Sequence, residues 1–315
     1  MNTAQALWGA LLMAGCHLLR SSDLFFRVGA IKALPVSLLI FWEHFFNLVV
    51  LAPALWHQRR AYARLTGRDF GLFLLVGWGA SAMGILCFTQ AFHYMNPALV
   101  ILLQKLQPLV TISLGAILLR ERFRPAFYGW AGLAVTASYF VSFSLTNPFS
   151  GEWARLGTGT LFALAAVFFW GSGTVWGKLL LGTYDKVFVL GNRFLFGTVF
   201  TFGLALALNS GLQAAVILDP SGPYFASILY MAWVPGLVAT GLFYFGLVYV
   251  AASVASILEL IFPLASVLIM WGYYGQPLDS IQIGAAIVLF ISMGRITAAD
   301  MRLLEDQGSR SASRG

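Results

Sequence analysis

The chain has 315 residues, of which 59% are hydrophobic and only 10% are charged, and its mean hydropathy is +0.82. A composition this apolar excludes a soluble globular protein, because too little polar surface remains to face water. The formal net charge of +7 comes from basic residues in short stretches between apolar segments. We therefore interpret it as a signal of membrane orientation and expect no nucleic-acid partner.

Apolar stretches of about 20 residues, the length that crosses a bilayer core, recur along the chain. We predict an all-α polytopic membrane protein with ten transmembrane helices and no soluble domain between them. The first stretch lacks a basic leading region and a convincing cleavage site, so we interpret it as a helix and not as a secretory signal. The predicted spans are 4–26, 36–56, 70–94, 97–119, 126–145, 157–180, 186–209, 224–249, 253–272 and 279–298.

The basic residues fall mainly in loops that lie on one side if the spans alternate across the membrane. The positive-inside bias makes that side cytoplasmic, so we predict a protein of the bacterial inner membrane with both termini in the cytoplasm. Residues 299–315 form a polar tail on the same side. The loops on the opposite side hold few basic residues, among them Arg27 and Lys32. The basic loop residues on the predicted cytoplasmic side are Arg59, Arg60, Arg64, Arg68, Arg120, Arg122, Arg124 and Lys186.

The sequence also matches itself without a gap at an offset of 155 residues. The loops of the second half have lost the basic residues of their first-half partners, as expected if an odd number of spans turns the second half upside down. We predict two inverted five-helix repeats, 1–149 and 150–298, which is an architecture typical of secondary transporters. The most informative matches place Tyr94 on Tyr249, Pro108 on Pro263 and Gly129 on Gly284.

Several short motifs occur in a consistent order. The sixth span contains the pair Trp170-Gly171, with Lys178 eight residues after the tryptophan, and the seventh contains Arg193. A proline-bearing fourth span precedes a short turn with Glu121. In this arrangement the chain resembles the EamA-like branch of the drug/metabolite transporter (DMT) superfamily over its whole length to about residue 298, and is most similar to its YddG-type amino-acid exporters.

This resemblance implies a secondary transporter that exports small metabolites, first of all aromatic or neutral amino acids, by alternating access through a central cavity. An alternative substrate class is hydrophobic or quaternary cations, which an aromatic cavity with a carboxylate would also suit. The motifs of hydrolases, zinc proteases and P-loop enzymes are absent from the sequence, so we expect no enzyme. A channel and a purely structural membrane protein are further alternatives. We expect no cofactor or metal, a monomer, and only the substrate and the bilayer as partners.

Ionisable residues inside the predicted spans are candidates for a polar centre. A charge at bilayer depth costs at least about 2.5 to 3.5 kcal/mol on insertion scales, so such groups face protein or a wet cavity. Lys105 and Glu259 lie near the midplane, and Gln104 is the repeat partner of Glu259. One hypothesis is that Lys105 attracts the carboxylate of a zwitterion and Glu259 its ammonium. The alternatives are a structural ion pair or a Glu259 that takes up a proton. Gln107 and His17 complete this predicted binding locus.

Two further pairs are candidates for moving parts. Pro108 and Pro263 occupy matched positions and each frees a backbone carbonyl one turn earlier, so they are either hinges or ordinary kinks. Arg20 and Lys178 are matched near opposite membrane faces. They are either gates or residues whose charges reach the headgroups.

Three polar residues on the second and seventh spans complete the set. His44 and Arg193 are matched in the repeat, and Glu43 lies beside His44. We interpret them as structural pairs within the helix bundle.

Aromatic residues are unusually frequent, at 15% of the chain. The family resemblance places the first, third, fourth, sixth, eighth and ninth helices around the cavity. It therefore implies Phe88, Gln90, Trp170, Trp176 and Tyr244 as lining residues. The alternative is that these aromatic rings pack between helices or lie at the membrane interface.

Overall fold

The structure is a computed structural model that describes residues 3–119, 125–147, 149–208, 213–240, 242 and 261–295. Every regular element in these ranges is a helix, so the described part of the chain is all-α. The helices in chain order are α1 (Thr3–Ser22), α2 (Leu24–Ala30), α3 (Val36–His57), α4 (Gly67–Leu74), α5 (Gly84–Ala91), α6 (Pro97–Leu103), α7 (Gln107–Leu119), α8 (Pro125–Phe143), α9 (Gly151–Leu181), α10 (Lys186–Ala207), α11 (Ala214–Ile217), α12 (Phe225–Met231), α13 (Ile261–Gly272) and α14 (Ser280–Arg295).

Four segments depart from α-helical hydrogen bonding. Two are 3₁₀ turns, at Arg59–Arg64 and Gln104–Leu106. Two are π-helical: Leu75–Met83, here the first π segment, joins α4 to α5, and Ala232–Val238, the second π segment, follows α12. π-Helical turns are rare and are frequent at functional sites.

Local sequence signals set where several helices begin. Thr66 and Asp69 form a reciprocal capping box at the start of α4. The Asn96 side chain accepts a hydrogen bond at the start of α6, and Pro97 occupies the first turn. Asp185 caps α10 in the same way. These polar caps satisfy backbone N–H groups that a helix start leaves unpaired.

Four of the described helices are long and apolar enough to cross a bilayer, and four shorter apolar helices accompany them. Each of the ten predicted spans overlaps a described helix. Because only some of these helices meet the length requirement alone, the number of ten crossings stays a prediction. The four long helices are Val36–His57, Gly67–Ala91, Gly151–Gly177 and Lys186–Ala207.

The end of the first span differs from the prediction. The Asp23 N–H donates to the carbonyl of Arg20, three residues earlier. This turn is tighter than an α-helical turn, and α1 ends at Ser22. The chain then continues as α2 to Ala30, beyond the predicted end at 26. Arg27 therefore lies in a helix and is buried, and its assignment to the loop after the first span was wrong.

The helices pack in a pattern that repeats between the two halves. α3 packs along α10, and each also packs on the π segment of the other half. α9 packs on the first π segment and α7, as α1 packs on the second π segment and α13. Exchanging each helix for its repeat partner leaves this pattern unchanged. The 155-residue offset carries Leu75–Met83 onto 230–238, where the second π segment lies. The packing fits a duplicated architecture.

Glycines let α9 approach its neighbours closely. A Cβ at Gly171 would lie 2.8 Å from the Cβ of Val110, and one at Gly173 would overlap the Cβ of Ala80. A Cβ at Gly177, one turn later, would have no heavy atom within 4 Å. Close contact through small residues is the usual way in which helices associate in membranes.

We expect Gly173→Ala to lower the thermal stability of the purified protein and Gly177→Ala to leave it unchanged or slightly higher. Both substitutions gain the same helix propensity, so the difference isolates the steric overlap with Ala80, which costs about 1 to 3 kcal/mol. Thermal unfolding in detergent measures this difference. Equal melting temperatures for the two variants would contradict the packing described here.

Candidate functional site

The predicted locus on the fourth span lies at the contact between α6 and α9. Gln104 is buried, and its Nε2 donates to the carbonyls of Val100 and Ala163, both at 3.2 Å. Gln107 donates in turn to Gln104 Oε1 at 3.4 Å. The Gln104 amide therefore holds two helices together. The 3₁₀ turn that contains Gln104 and Lys105 lies directly before the start of α7.

Two predicted cations lie within electrostatic range of a third predicted residue, His17 on α1. His17 is buried, and Arg20 and Lys105 are the cations whose charges act on it. Ser21, one turn after His17, donates to the carbonyl of Phe262 at 3.1 Å and thereby ties α1 to α13. We call His17, Arg20 and Lys105 the cationic cluster, after its two charged members, Arg20 and Lys105. Its positive potential favours ligand groups with negative or partly negative oxygens.

An aromatic pair lies between α5 and α9. The rings of Phe88 and Trp170 are 5.2 Å apart and tilted by 46°. The Trp170 indole lies against Gly84, where an added Cβ would come within 2.5 Å of its Nε1. Trp176 does not join this pair, because it packs in a separate cluster with Leu180 and other apolar residues. The structure thus separates two aromatic residues that the family resemblance had grouped.

A buried ion network joins α2, α3 and α5. The Arg27 guanidinium, only 2% exposed, donates to both Asp23 carboxylate oxygens, to Glu43 Oε2 at 2.9 Å and to Thr89 Oγ1 at 3.0 Å. Sequence reasoning missed this network. Two signals were available: Asp23 and Arg27 have the i, i+4 spacing of a helical ion pair, and a Glu43 inside an apolar helix needs a cation.

A second polar network joins α3, the first π segment and α10. His44 Nδ1 lies 2.8 Å from the carbonyl of Ile40, so this nitrogen carries the proton. His44 Nε2 lies 2.9 Å from Ser81 Oγ, which accepts from Arg193 Nε at 3.2 Å. His44 and Arg193, interpreted from the sequence as structural pairs, thus meet through Ser81. Glu43 points into the other network and pairs with Arg27.

One end of the bundle is tied across the two halves by exposed polar contacts. Gln58 Nε2 donates to Asp185 Oδ1 at 3.0 Å, and Tyr184 donates to Asp69 Oδ2 at 2.8 Å. The hydrogen bond from Gln58 lowers the pKa of Asp185, so this carboxylate stays ionised. A cavity of about 360 Å³ lies beneath these contacts. It is lined by Gln58, Ala61, Arg64, Thr183, Tyr184, Asp185 and Phe188, and we call it the end cavity.

The opposite ends of the helices are also tied together. The Tyr274 hydroxyl donates to the carbonyl of Leu24 at 3.0 Å, and Asn96 Nδ2 donates to the carbonyl of Gln276 at 3.2 Å. These bonds involve main-chain acceptors, and at the end cavity the Tyr184 hydroxyl likewise lies 3.4 Å from the main-chain carbonyl oxygen of Arg64. Both ends of the bundle are thus tied across the two halves by polar contacts.

The other predicted residues are less informative. Gln90 is partly buried near the end of α5, and Pro263 is buried in α13. Tyr244 and Glu259 lie outside the described residues, as do the side chains of Pro108 and Lys178. The proposed pairing of Lys105 with Glu259 thus stays a prediction. Within the described ranges, no group of three His, Cys, Asp or Glu side chains is placed to hold a metal ion.

Comparison with known proteins settles the family. The model of the EamA-like transporter family matches the chain twice, over residues 7–143 and 157–297. The chain belongs to the EamA-like transporter family. The double match agrees with the repeated packing of the helices. The protein is therefore a multi-pass membrane transporter for small molecules and not an enzyme.

This EamA-like chain is also similar to a transporter of known substrate and to a protein of solved structure. It is 29% identical over 293 residues to the riboflavin transporter ImpX of Fusobacterium nucleatum. The alignment covers 92% of this chain and 97% of that protein. A solved crystal structure with 18% sequence identity superposes with a TM-score of 0.58 and covers 94% of this chain and 98% of that one. The second likeness concerns the fold alone.

Removal of Arg27 tests the buried network. We expect Arg27→Leu to destabilise the protein by about 3 to 5 kcal/mol, because the Asp23 and Glu43 carboxylates lose their shared cation. Combining it with Glu43→Gln should recover part of that loss, since one uncompensated charge is removed. Thermal or denaturant unfolding of the two single variants and the double variant measures the coupling. An Arg27→Leu protein as stable as the wild type would refute the network.

Proposed function

We propose that the chain carries a small metabolite with a planar aromatic ring system across the membrane, and that riboflavin is the first substrate to test. The observation that carries this proposal is the 29% identity to a riboflavin transporter over nearly the whole length of both proteins. Related carriers with different substrates also share folds, so the side chains of the site supply the second argument.

The described side chains suit such a ligand. A flat heteroaromatic ring has apolar faces and an edge of carbonyl oxygens. The partly buried Trp170 ring offers an apolar face for stacking or edge contact, and the buried Phe88 ring packs against it. The cationic cluster offers N–H donors for carbonyl and hydroxyl oxygens. A neutral ligand with many oxygen acceptors matches this combination better than a quaternary cation, which Lys105 and Arg20 would repel.

Aromatic or neutral amino acids are the second candidate, and export by alternating access is the transport mode implied by the family resemblance. Lys105 supports this substrate because it would attract an amino-acid carboxylate. The proposed partner for the ammonium, Glu259, is the residue to test for this alternative. We further propose that the protein lies in the inner membrane with both termini in the cytoplasm, as the distribution of basic loop residues favours.

Substrate exchange in proteoliposomes distinguishes the two candidates. Vesicles loaded with unlabelled riboflavin should take up labelled riboflavin faster than vesicles loaded with phenylalanine, if riboflavin is the substrate. Saturable exchange identifies a carrier and excludes a channel. Exchange of phenylalanine without any exchange of riboflavin would favour amino acids as the substrate and overturn the riboflavin proposal.

Replacement of Trp170 tests the aromatic pair. We expect Trp170→Ala to weaken riboflavin binding roughly tenfold, which corresponds to about 1.4 kcal/mol, because one stacking face is lost. The matched control is Phe168→Ala on the same helix, where the ring is 54% exposed. That variant should keep the wild-type half-saturation concentration. An equal effect of both substitutions would count against Trp170 as a binding residue.

Cross-linking tests movement at the end cavity. If access alternates, the Gln58 and Asp185 side chains must separate during each cycle. Gln58→Cys combined with Asp185→Cys, joined by a short cleavable thiol reagent, should stop exchange until the linker is reduced. Gln58→Cys alone with the same reagent is the control, and Cys16 and Cys87 are buried. Full exchange by the cross-linked protein would show that this end does not open.

A further inference from the structure

Two buried acceptor oxygens on α3 find no hydrogen-bond donor among the described residues. They are Glu43 Oε1 and Asn47 Oδ1, and their residues are 7% and 3% exposed. The two residues are one helical turn apart, so their side chains lie on the same face of α3. A buried acceptor without a donor is costly and rare, and two neighbouring ones indicate an absent binding partner.

The charges around Glu43 point to the kind of partner. Arg27 is the one cation of this network, and it is shared by Asp23 and Glu43. Glu43 Oε2 is bonded to Arg27, whereas Oε1 is not. With both carboxylates ionised, these three residues carry a net charge of −1, and two of them, Arg27 and Glu43, are buried. A single positive charge beside Glu43 Oε1 would neutralise the network.

The second π segment borders this position. A Cβ at Gly236 would lie 3.5 Å from Asn47 Nδ2, and Trp233 Nε1 donates to the carbonyl of Phe46 at 3.3 Å. The segment contains no titratable residue. The charges that act on Glu43 itself are those of Arg27 and Asp23. The other titratable groups on α3 and the described elements packed against it are His44, His57, Arg59, Arg60, Tyr62, Arg64, Cys87, Lys186, Arg193 and Tyr230.

We propose that Glu43 and Asn47 form the binding site of a monovalent cation, H⁺ or Na⁺, whose gradient drives transport. A proton taken from water by Glu43 Oε1 would let the resulting O–H donate to Asn47 Oδ1, which satisfies both oxygens at once. A sodium ion would instead be bound by both oxygens directly. In either case the cation returns to water on the other side. This inference deepens the proposed transport function and rests on it.

Gradient-driven uptake distinguishes ion-coupled transport from uncoupled substrate exchange. In proteoliposomes of the full chain, a pH gradient or a sodium gradient is imposed in turn, and riboflavin accumulation is compared with exchange in the absence of any gradient. A tenfold gradient of the coupled ion supports up to about tenfold accumulation at one-to-one coupling. We expect one of the two gradients to drive accumulation by the wild type, and the responsive gradient identifies the ion.

Glu43→Gln removes the charge and keeps the shape. We expect it to retain exchange and to lose gradient-driven accumulation, with the inside-to-outside ratio falling to about one. The control is Glu152→Gln, whose carboxylate is exposed and paired with Arg155, and which should accumulate like the wild type. Accumulation by Glu43→Gln at the wild-type level, or a wild type that responds to neither gradient while exchanging normally, would overturn the cation site.

A second measurement does not require the substrate. Binding of the ion to the folded protein stabilises it by mass action, so the wild-type melting temperature should rise with the coupled ion, and that rise should be absent from Glu43→Gln. Asn47→Ala keeps the Arg27 pair and should shift half-maximal stabilisation to about tenfold higher ion concentration. An unchanged ion dependence in both variants would refute the site. Absence of riboflavin exchange would refute the substrate alone, because the melting experiment still tests the cation.

Discussion

An arginine that lies away from water must be surrounded by acceptors from several elements at once, and Arg27 meets this requirement. Its guanidinium bonds to Asp23 in the turn before α2, to Glu43 on α3 and to Thr89 on α5. Because an unpaired charge at this depth would cost several kcal/mol, these three elements cannot separate freely. The position of α1 and α2 against the second and third predicted spans depends on this contact, and so does the position of His17 on α1.

The repeated packing places two equivalent sets of helices around the contact of α3 with α10. Each of these two helices packs on the π segment of the other half. A π turn leaves the regular α-helical ladder locally, and helices bend most readily where that ladder is interrupted. The glycine contacts on α9 allow close approach without long interlocking side chains. Such an interface favours small sliding movements of whole helices.

The polar interior is divided by charge. The cationic cluster of His17, Arg20 and Lys105 lies near α1, whereas Asp23 and Glu43 place an excess of negative charge beside α3. The aromatic pair of Phe88 and Trp170 lies between α5 and α9. A carrier needs one site for substrate and, if it is driven by an ion, a second site coupled to it. Separation of opposite charges within one bundle provides chemically different sites for both.

The sequence by itself determined the class of protein and its helical fold, because bilayer thickness and hydrophobic periodicity act on local stretches of chain. Its short motifs in their order indicated the family. It also placed His17, Lys105 and Trp170 among the candidates, since a charge or a motif inside an apolar span is visible without a structure.

Only the tertiary structure showed which of these residues meet. The sequence predicts a loop at Arg27, because this residue follows an apolar stretch. In the structure Arg27 is buried, since it forms an ion pair with Glu43, sixteen residues later. Ser81 could not be singled out, because a hydroxyl in an apolar helix gives no signal until His44 and Arg193 reach it. Trp170 and Trp176 share a helix yet belong to different clusters. Contacts between distant segments depend on how whole helices rotate and cross, and that is set by packing across the bundle.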